Sequence, residues 1–170
     1  MIDMKEPFLL APAGKDYLGS GQRLKDKFGK NLSLTPLAKT WEYSTHLDGL
    51  STISSGPFQG QTLKHILAAH PHFIGTHPQV IDGELPILVK LIDAYKDLSI
   101  QVHPSHEQAA PLRGKAELWY ILSASSGATI SHGFNTSMTK AKLKKSIENK
   151  TLPNYLHKFP VHAHDVFYIE

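Results

Sequence analysis

At 170 residues, 41% of them hydrophobic and 19% charged, the chain is long enough to bury one substantial core and short enough that a single domain is the default expectation. A formal charge of +3 suits an anionic small molecule but falls short of a nucleic-acid signature, and zero cysteines exclude disulfides, thiolate catalysis and Cys-ligated zinc, so any metal must be held by nitrogen and oxygen donors. No apolar run approaches the roughly 20 residues that cross a bilayer, and the start, Met1-Ile2-Asp3-Met4-Lys5, lacks a basic region followed by a long apolar segment, which gives a cytoplasmic expectation.

Residues 6–13 read as extended, and Gly19-Ser20-Gly21 marks a turn before a short helix around 22–28. The run Lys39-Thr40-Trp41-Glu42-Tyr43-Ser44-Thr45-His46 alternates aromatic and polar residues as a strand does, and Gly49, Gly56-Pro57 and Gly60 punctuate the next stretch of chain. A helix is predicted from about 61 to 69, with Leu63, Ile66 and Leu67 at helical spacing and Pro71 as its stop. Residues 86–93 form an apolar run suited to a buried strand, interrupted by Lys90. Burying an unpaired lysine is costly, so Lys90 either faces a polar interior or snorkels to solvent; the first is favoured because the local pattern gives it no other polar company.

Strands are then expected at 98–104, 114–120 and 128–134, a lysine-rich helix at 139–149, and strands again at 155–161 and 165–169. Many short strands with turn signals and few long helices predict a mainly β fold, an antiparallel barrel or jelly roll, in preference to a βαβ fold. Lys140, Lys142, Lys144, Lys145 and Lys150 read as a solvated helix face, since neither base-stacking aromatics nor a DNA-binding motif accompanies them.

The most informative stretch is Leu98-Ser99-Ile100-Gln101-Val102-His103-Pro104 with Gly114-Lys115-Ala116-Glu117-Leu118-Trp119-Tyr120. If both are extended, the two-residue period puts Gln101 and His103 on one face of the first strand and Lys115 and Glu117 on one face of the second. Imidazole and carboxylate are ordinary ligands for a zinc-like ion and an amide oxygen is a weaker one, so this face is a candidate metal site; a wet strand face is the other reading. About three protein ligands are usual for a catalytic zinc, so a further histidine is expected elsewhere. Of the eleven histidines, His65, His70, His72 and His77 read as surface or capping residues, and His157, His162 and His164 as solvated strand-edge residues or, alternatively, the source of that ligand.

Taken together, Leu-Ser-Ile-Gln-Val-His-Pro, Gly-Lys-Ala-Glu-Leu-Trp-Tyr-Ile-Leu and Pro-Ile-Leu-Val-Lys-Leu-Ile-Asp-Ala closely resemble the type I mannose-6-phosphate isomerases, in particular their short bacterial form. Supporting pieces are Lys39-Thr40-Trp41-Glu42-Tyr43-Ser44, Gly56-Pro57-Phe58-Gln59-Gly60-Gln61-Thr62-Leu63 and His164-Asp165-Val166-Phe167-Tyr168-Ile169-Glu170, so that the resemblance covers almost the whole chain. It implies a cupin-like jelly-roll barrel with a few peripheral helices, one bound zinc ion, and interconversion of mannose 6-phosphate and fructose 6-phosphate through a cis-enediol. It further implies that Gln101, His103 and Glu117 are metal ligands, that Lys90 and Ser99 contact the phosphorylated hexose, and that Lys115 is either the catalytic base or a charge contact. In the family a Gly-Thr-x-His turn follows the strand equivalent to 165–170 and supplies the remaining histidine; the present sequence stops short of it, so residues 1–170 are expected to be one cupin-like domain cut before the rest of its barrel and a further β domain. A non-catalytic metal- or sugar-binding cupin is the alternative function; neither a nucleic acid nor a membrane is an expected partner.

Overall fold

A computed structural model describes residues 7–17, 21–76, 84–109 and 114–169. The Gly19-Ser20 part of the expected turn, His77 and Glu170 lie outside the described residues. Two compact units divide at residue 100.

In the first unit, β1 (Leu10–Ala11) pairs antiparallel with β4 (Thr52–Ile53), and β2 (Ala13–Lys15), β3 (Lys39–Tyr43) and β5 (Val89–Ile92) form a three-stranded antiparallel sheet with β3 in the middle. Two helices accompany them, α1 (Arg23–Asp26) and α2 (Leu63–Ala69). The side chain of Thr62 caps α2 by accepting from His65 N at 3.2 Å, and His70 followed by Pro71 ends it, because proline cannot continue the hydrogen-bond ladder. The apolar stripe that spaced the helix, Leu63, Ile66 and Leu67, is fully buried. Ile66 packs with Ile53 and Phe58 as a core, against which Phe8, Leu10 and Phe73 close, with Phe8 edge-on to Phe58 at 6.5 Å. Asp93 ties the ends of this unit together: its buried carboxylate accepts from Arg23 N at 2.8 Å and satisfies the first turn of α1. Gly21 is required there, since a Cβ would collide with Asp93 Oδ2.

The second unit holds β6 (Glu117–Tyr120) paired with β9 (Val166–Ile169), β7 (Thr129–Phe134) paired with β8 (Leu156–Pro160), and α3 (His106–Ala109) and α4 (Lys140–Glu148). Thr139 caps α4 by accepting from Lys142 N at 3.2 Å. The turn into β9 is held by Asp165, whose Oδ2 accepts from His162 N at 2.7 Å, and by His164, which adopts φ 75° and lies 2.5 Å through Nδ1 from the Tyr120 hydroxyl. His162 and His164 thus build a turn, and His157 stacks on Phe159 at 4.2 Å.

Two expectations are corrected. Residues 98–104 form no strand: Ile100 and Val102 are exposed, and Lys115 N donates to the Pro104 carbonyl at 3.2 Å outside any ladder. A strand needs a continuous ladder, and Pro104 has no N–H to give it. Nor are the apolar residues of the 86–93 run buried, Asp93 at its end being the buried one; among the described strands β5 is a sheet edge with Val89 and Ile92 exposed, so its apolar composition did not determine its depth.

Candidate metal and proton-transfer site

Glu117 opens β6 and alternates with Leu118, so it shares a face with Trp119. The register places Ile169 and Phe167 opposite these two, while Leu118 and Tyr120, opposite Tyr168 and Val166, point to the other, exposed face. Around the Glu117 carboxylate three groups converge. The Trp119 indole Nε1 donates to Oε2 at 3.0 Å, Lys115 Nζ lies 3.1 Å from Oε1, and His103 Nε2 lies 3.7 Å from Oε2. Burial raises the Glu117 pKa, but the Trp119 hydrogen bond, the Lys115 hydrogen bond and charge, and the His103 charge outweigh it, so the carboxyl is held below its ordinary value.

The His103 side chain is 8% exposed, and its Nδ1 is buried with no hydrogen-bond partner. A sealed imidazole facing a carboxylate across a gap too long for a hydrogen bond is the arrangement two ligands adopt about a shared cation. At zinc–ligand distances near 2.1 Å and tetrahedral angles the two donor atoms would stand about 3.4 Å apart. His103 and Glu117 therefore fit a divalent ion as two of its donors; among the described residues no third His, Cys, Asp or Glu completes a set with them. Gln101 is exposed, and its role as a ligand stays an expectation.

The structure brings together Lys115, Glu117 and His103, as the sequence pattern anticipated, but through a loop carrying His103 and not through two paired strands. Trp119 was missed, although its position two residues after Glu117 on the same strand was the available signal. Of the residues expected to meet substrate, Lys90 on β5 directs its ammonium over the Trp41 ring at 5.2 Å from the centroid, and Ser99 is exposed. The group that β3 sets against Lys90 is thus an aromatic ring.

Comparison with known proteins decides the family. The family profile described as phosphomannose isomerase type I, catalytic domain, matches residues 13–129. The chain belongs to the type I phosphomannose isomerase family. It is 34% identical over 98% of its length to the Bacillus subtilis protein named probable mannose-6-phosphate isomerase GmuF, covering 53% of that protein. It is 32% identical over 98% of its length to the mannose-6-phosphate isomerase of Streptococcus mutans, covering 52% of it. Among solved structures, the mannose 6-phosphate isomerase from Bacillus subtilis superposes with a TM-score of 0.86 at 30% identity, over 97% of this chain and 52% of that one. The mainly β, cupin-type fold expected from the sequence agrees with this likeness, although the described strands form four small sheets and no closed barrel. The chain spans about half the length of the curated relatives it matches.

Proposed function

We propose that the protein acts in the zinc-dependent interconversion of mannose 6-phosphate and fructose 6-phosphate, an isomerisation that moves a proton between C1 and C2 through a cis-enediol. Family membership supports the reaction class, and the convergence of His103, Lys115 and Glu117 is the observation that carries the assignment of residues. His103 and Glu117, with Gln101, would hold the metal, which when bound supplies Lewis-acid stabilisation of the negative charge that develops on the sugar oxygens.

Lys115 is the proposed proton carrier. Its Nζ lies 3.1 Å from Glu117 Oε1, so the carboxylate orients the amine; as the neutral amine it would take the proton from one carbon, and as the ammonium so formed it would return that proton to the other. The Trp119 N–H pins the other oxygen, leaving the Glu117 carboxylate one orientation toward His103 and Lys115. His103 is committed to the metal in this reading and is not the base. Lys90 and Ser99 would supply a cation and a hydroxyl to the substrate. A cytoplasmic location is part of this proposal and is not decided by the fold; no helix among the described residues is long and apolar enough to cross a membrane.

The test is an assay of mannose 6-phosphate conversion with the Lys115→Arg and Lys115→Met variants. Arginine keeps the charge but cannot give up its proton near neutral pH, so loss of turnover by about 100-fold or more in both variants supports a proton carrier. Activity retained in Lys115→Arg and lost in Lys115→Met assigns Lys115 to the charge contact instead. Binding of zinc and mannose 6-phosphate without any turnover would replace the enzyme by a non-catalytic sugar-binding protein.

A further inference from the structure

Among the described residues every buried apolar side chain lies between Leu24 and Leu67, within the first unit. Of the described residues in the second unit only Ser146 is buried, a polar side chain whose hydroxyl donates to the Leu143 carbonyl at 2.7 Å. The described sheets of this unit have two strands each, and a two-stranded sheet is marginal in water unless an apolar face packs against another element. The second unit therefore has strands and helices without a core of its own, and the apolar surface that would build one is on its outside.

The β6–β9 sheet carries that surface. Its register sets Leu118 across from Tyr168 and Tyr120 across from Val166, all four on the face opposite Glu117 and Trp119. Their exposures run from 49 to 65%, and Leu122, just past the end of β6, is exposed as well. None of the four carries a charge, whereas the solvent face of an antiparallel sheet alternates to polar residues. An exposed apolar patch of this kind marks an interaction surface, and two tyrosines suit one, because each offers a large ring with few rotatable bonds and a hydroxyl that tolerates the wet rim. The patch is also ordered in advance: the Tyr120 hydroxyl lies 2.5 Å from His164 Nδ1, with the two rings 5.9 Å apart, so little freedom of this side chain is left to lose on docking.

We propose that the Leu118, Tyr120, Val166, Tyr168 face seats a second polypeptide, equivalent to the half of the relatives that this chain does not match. The length of the relatives selects this occupant. The chain superposes on the Bacillus subtilis protein over 97% of its own length and 52% of that protein's, with a TM-score of 0.86, so that fold contains nearly as much chain again beside a half of this shape. The first unit already encloses a core, and the second is the one that needs an apolar partner. Because Glu117 and Trp119 stand on the other face of the same two strands, the occupant braces the strand that presents the Glu117 carboxylate. The inference rests on family membership and not on the assignment of the reaction.

The chain has no cysteine, so a single introduced thiol reports on one position. The experiment co-expresses the full chain with the polypeptide that corresponds to the unmatched half of the Bacillus subtilis mannose 6-phosphate isomerase, purifies through a tag on the chain, and compares maleimide labelling of the chain alone and in the complex. A one-to-one complex is expected, with labelling of Leu118→Cys slowed more than tenfold in it. Labelling of Lys144→Cys, on α4 where the side chain is 81% exposed, should be unchanged. Tyr168→Arg should weaken the complex more than tenfold while the urea midpoint of the chain alone stays in place, because the side chain it replaces is mostly exposed. Failure to form a complex, a complex in which Leu118→Cys labels as fast as in the free chain, or one that Tyr168→Arg leaves intact overturns the proposal. Labelling of Leu118→Cys that slows as the concentration of the chain alone is raised, with sedimentation as a dimer, gives the face to a second copy and overturns it too. None of these readouts involves turnover: docking without isomerase activity upholds the face and removes the reaction, and activity of the chain without a complex does the reverse.

Discussion

Replacing Trp119 by phenylalanine keeps an aromatic ring on β6 and removes the N–H that reaches Glu117 Oε2 at 3.0 Å. A hydrogen bond to a charged group contributes about 1.5–3 kcal/mol, and because the Glu117 side chain is 21% exposed, water replaces part of it, which leaves an expected loss of about 1–2 kcal/mol at neutral pH. The loss has a pH signature. Burial pushes the Glu117 pKa up, but Trp119, Lys115 and His103 together hold it below its ordinary value of 4.5. A carboxyl lowered in the folded state stabilises the fold above the ordinary value, and that contribution fades as pH falls through the lowered one. Trp119→Phe removes part of the lowering, so the stability gap between the two proteins should be widest near pH 7 and shrink toward pH 3. Any packing lost with the indole is a pH-independent offset and does not mimic this. Urea unfolding at pH steps from 7 to 3 measures it, and the pH dependence should vanish in a Glu117→Gln background. A gap that stays constant across the range would refute the coupling of Trp119 to the Glu117 charge.

Three other consequences are open to measurement. Ile66→Ala should cost about 2–5 kcal/mol in urea unfolding, because Ile66 is 2% exposed and the aromatic cluster around Phe58 cannot collapse into the space; a cost under about 1 kcal/mol would show that this cluster is not the core. Gly21→Ala should destabilise by about 1–2 kcal/mol by pushing Asp93 off the Arg23 N–H, and should cost almost nothing further once Asp93→Ala has removed that carboxylate, as a double-mutant cycle would reveal. Burial raises the Tyr43 pKa above its ordinary value of 10.0, so the stability contributed by its neutral phenol is complete below pH 10 and is lost as pH rises through the raised value; Tyr43→Phe should flatten that alkaline decline in a thermal-melt series.

The sequence made the regular elements readable wherever periodicity and punctuation agreed. The Leu63, Ile66, Leu67 stripe between Thr62 and Pro71, and the β7, α4, β8, β9 succession, lie within a few residues of the expected bounds. Where pattern and partner diverged, the reading failed. Ile100-Gln101-Val102-His103 alternates as a strand does, but alternation supplies no ladder partner, and a proline closes the run. Glu117 and Lys115 could be placed beside each other from spacing on one segment, whereas the approach of His103 depends on a loop whose path no local rule encodes.

At the centre stands the claim that His103 and Glu117 hold a divalent metal together. Metal-edge X-ray absorption on the zinc-loaded protein, with calorimetric titration of wild type, His103→Ala and Glu117→Ala, reads it most directly. Zinc with imidazole in its coordination shell, and affinity reduced more than tenfold in each variant, is the result this structure predicts. Zinc bound equally well by all three proteins, with no imidazole signal lost in His103→Ala, would contradict it.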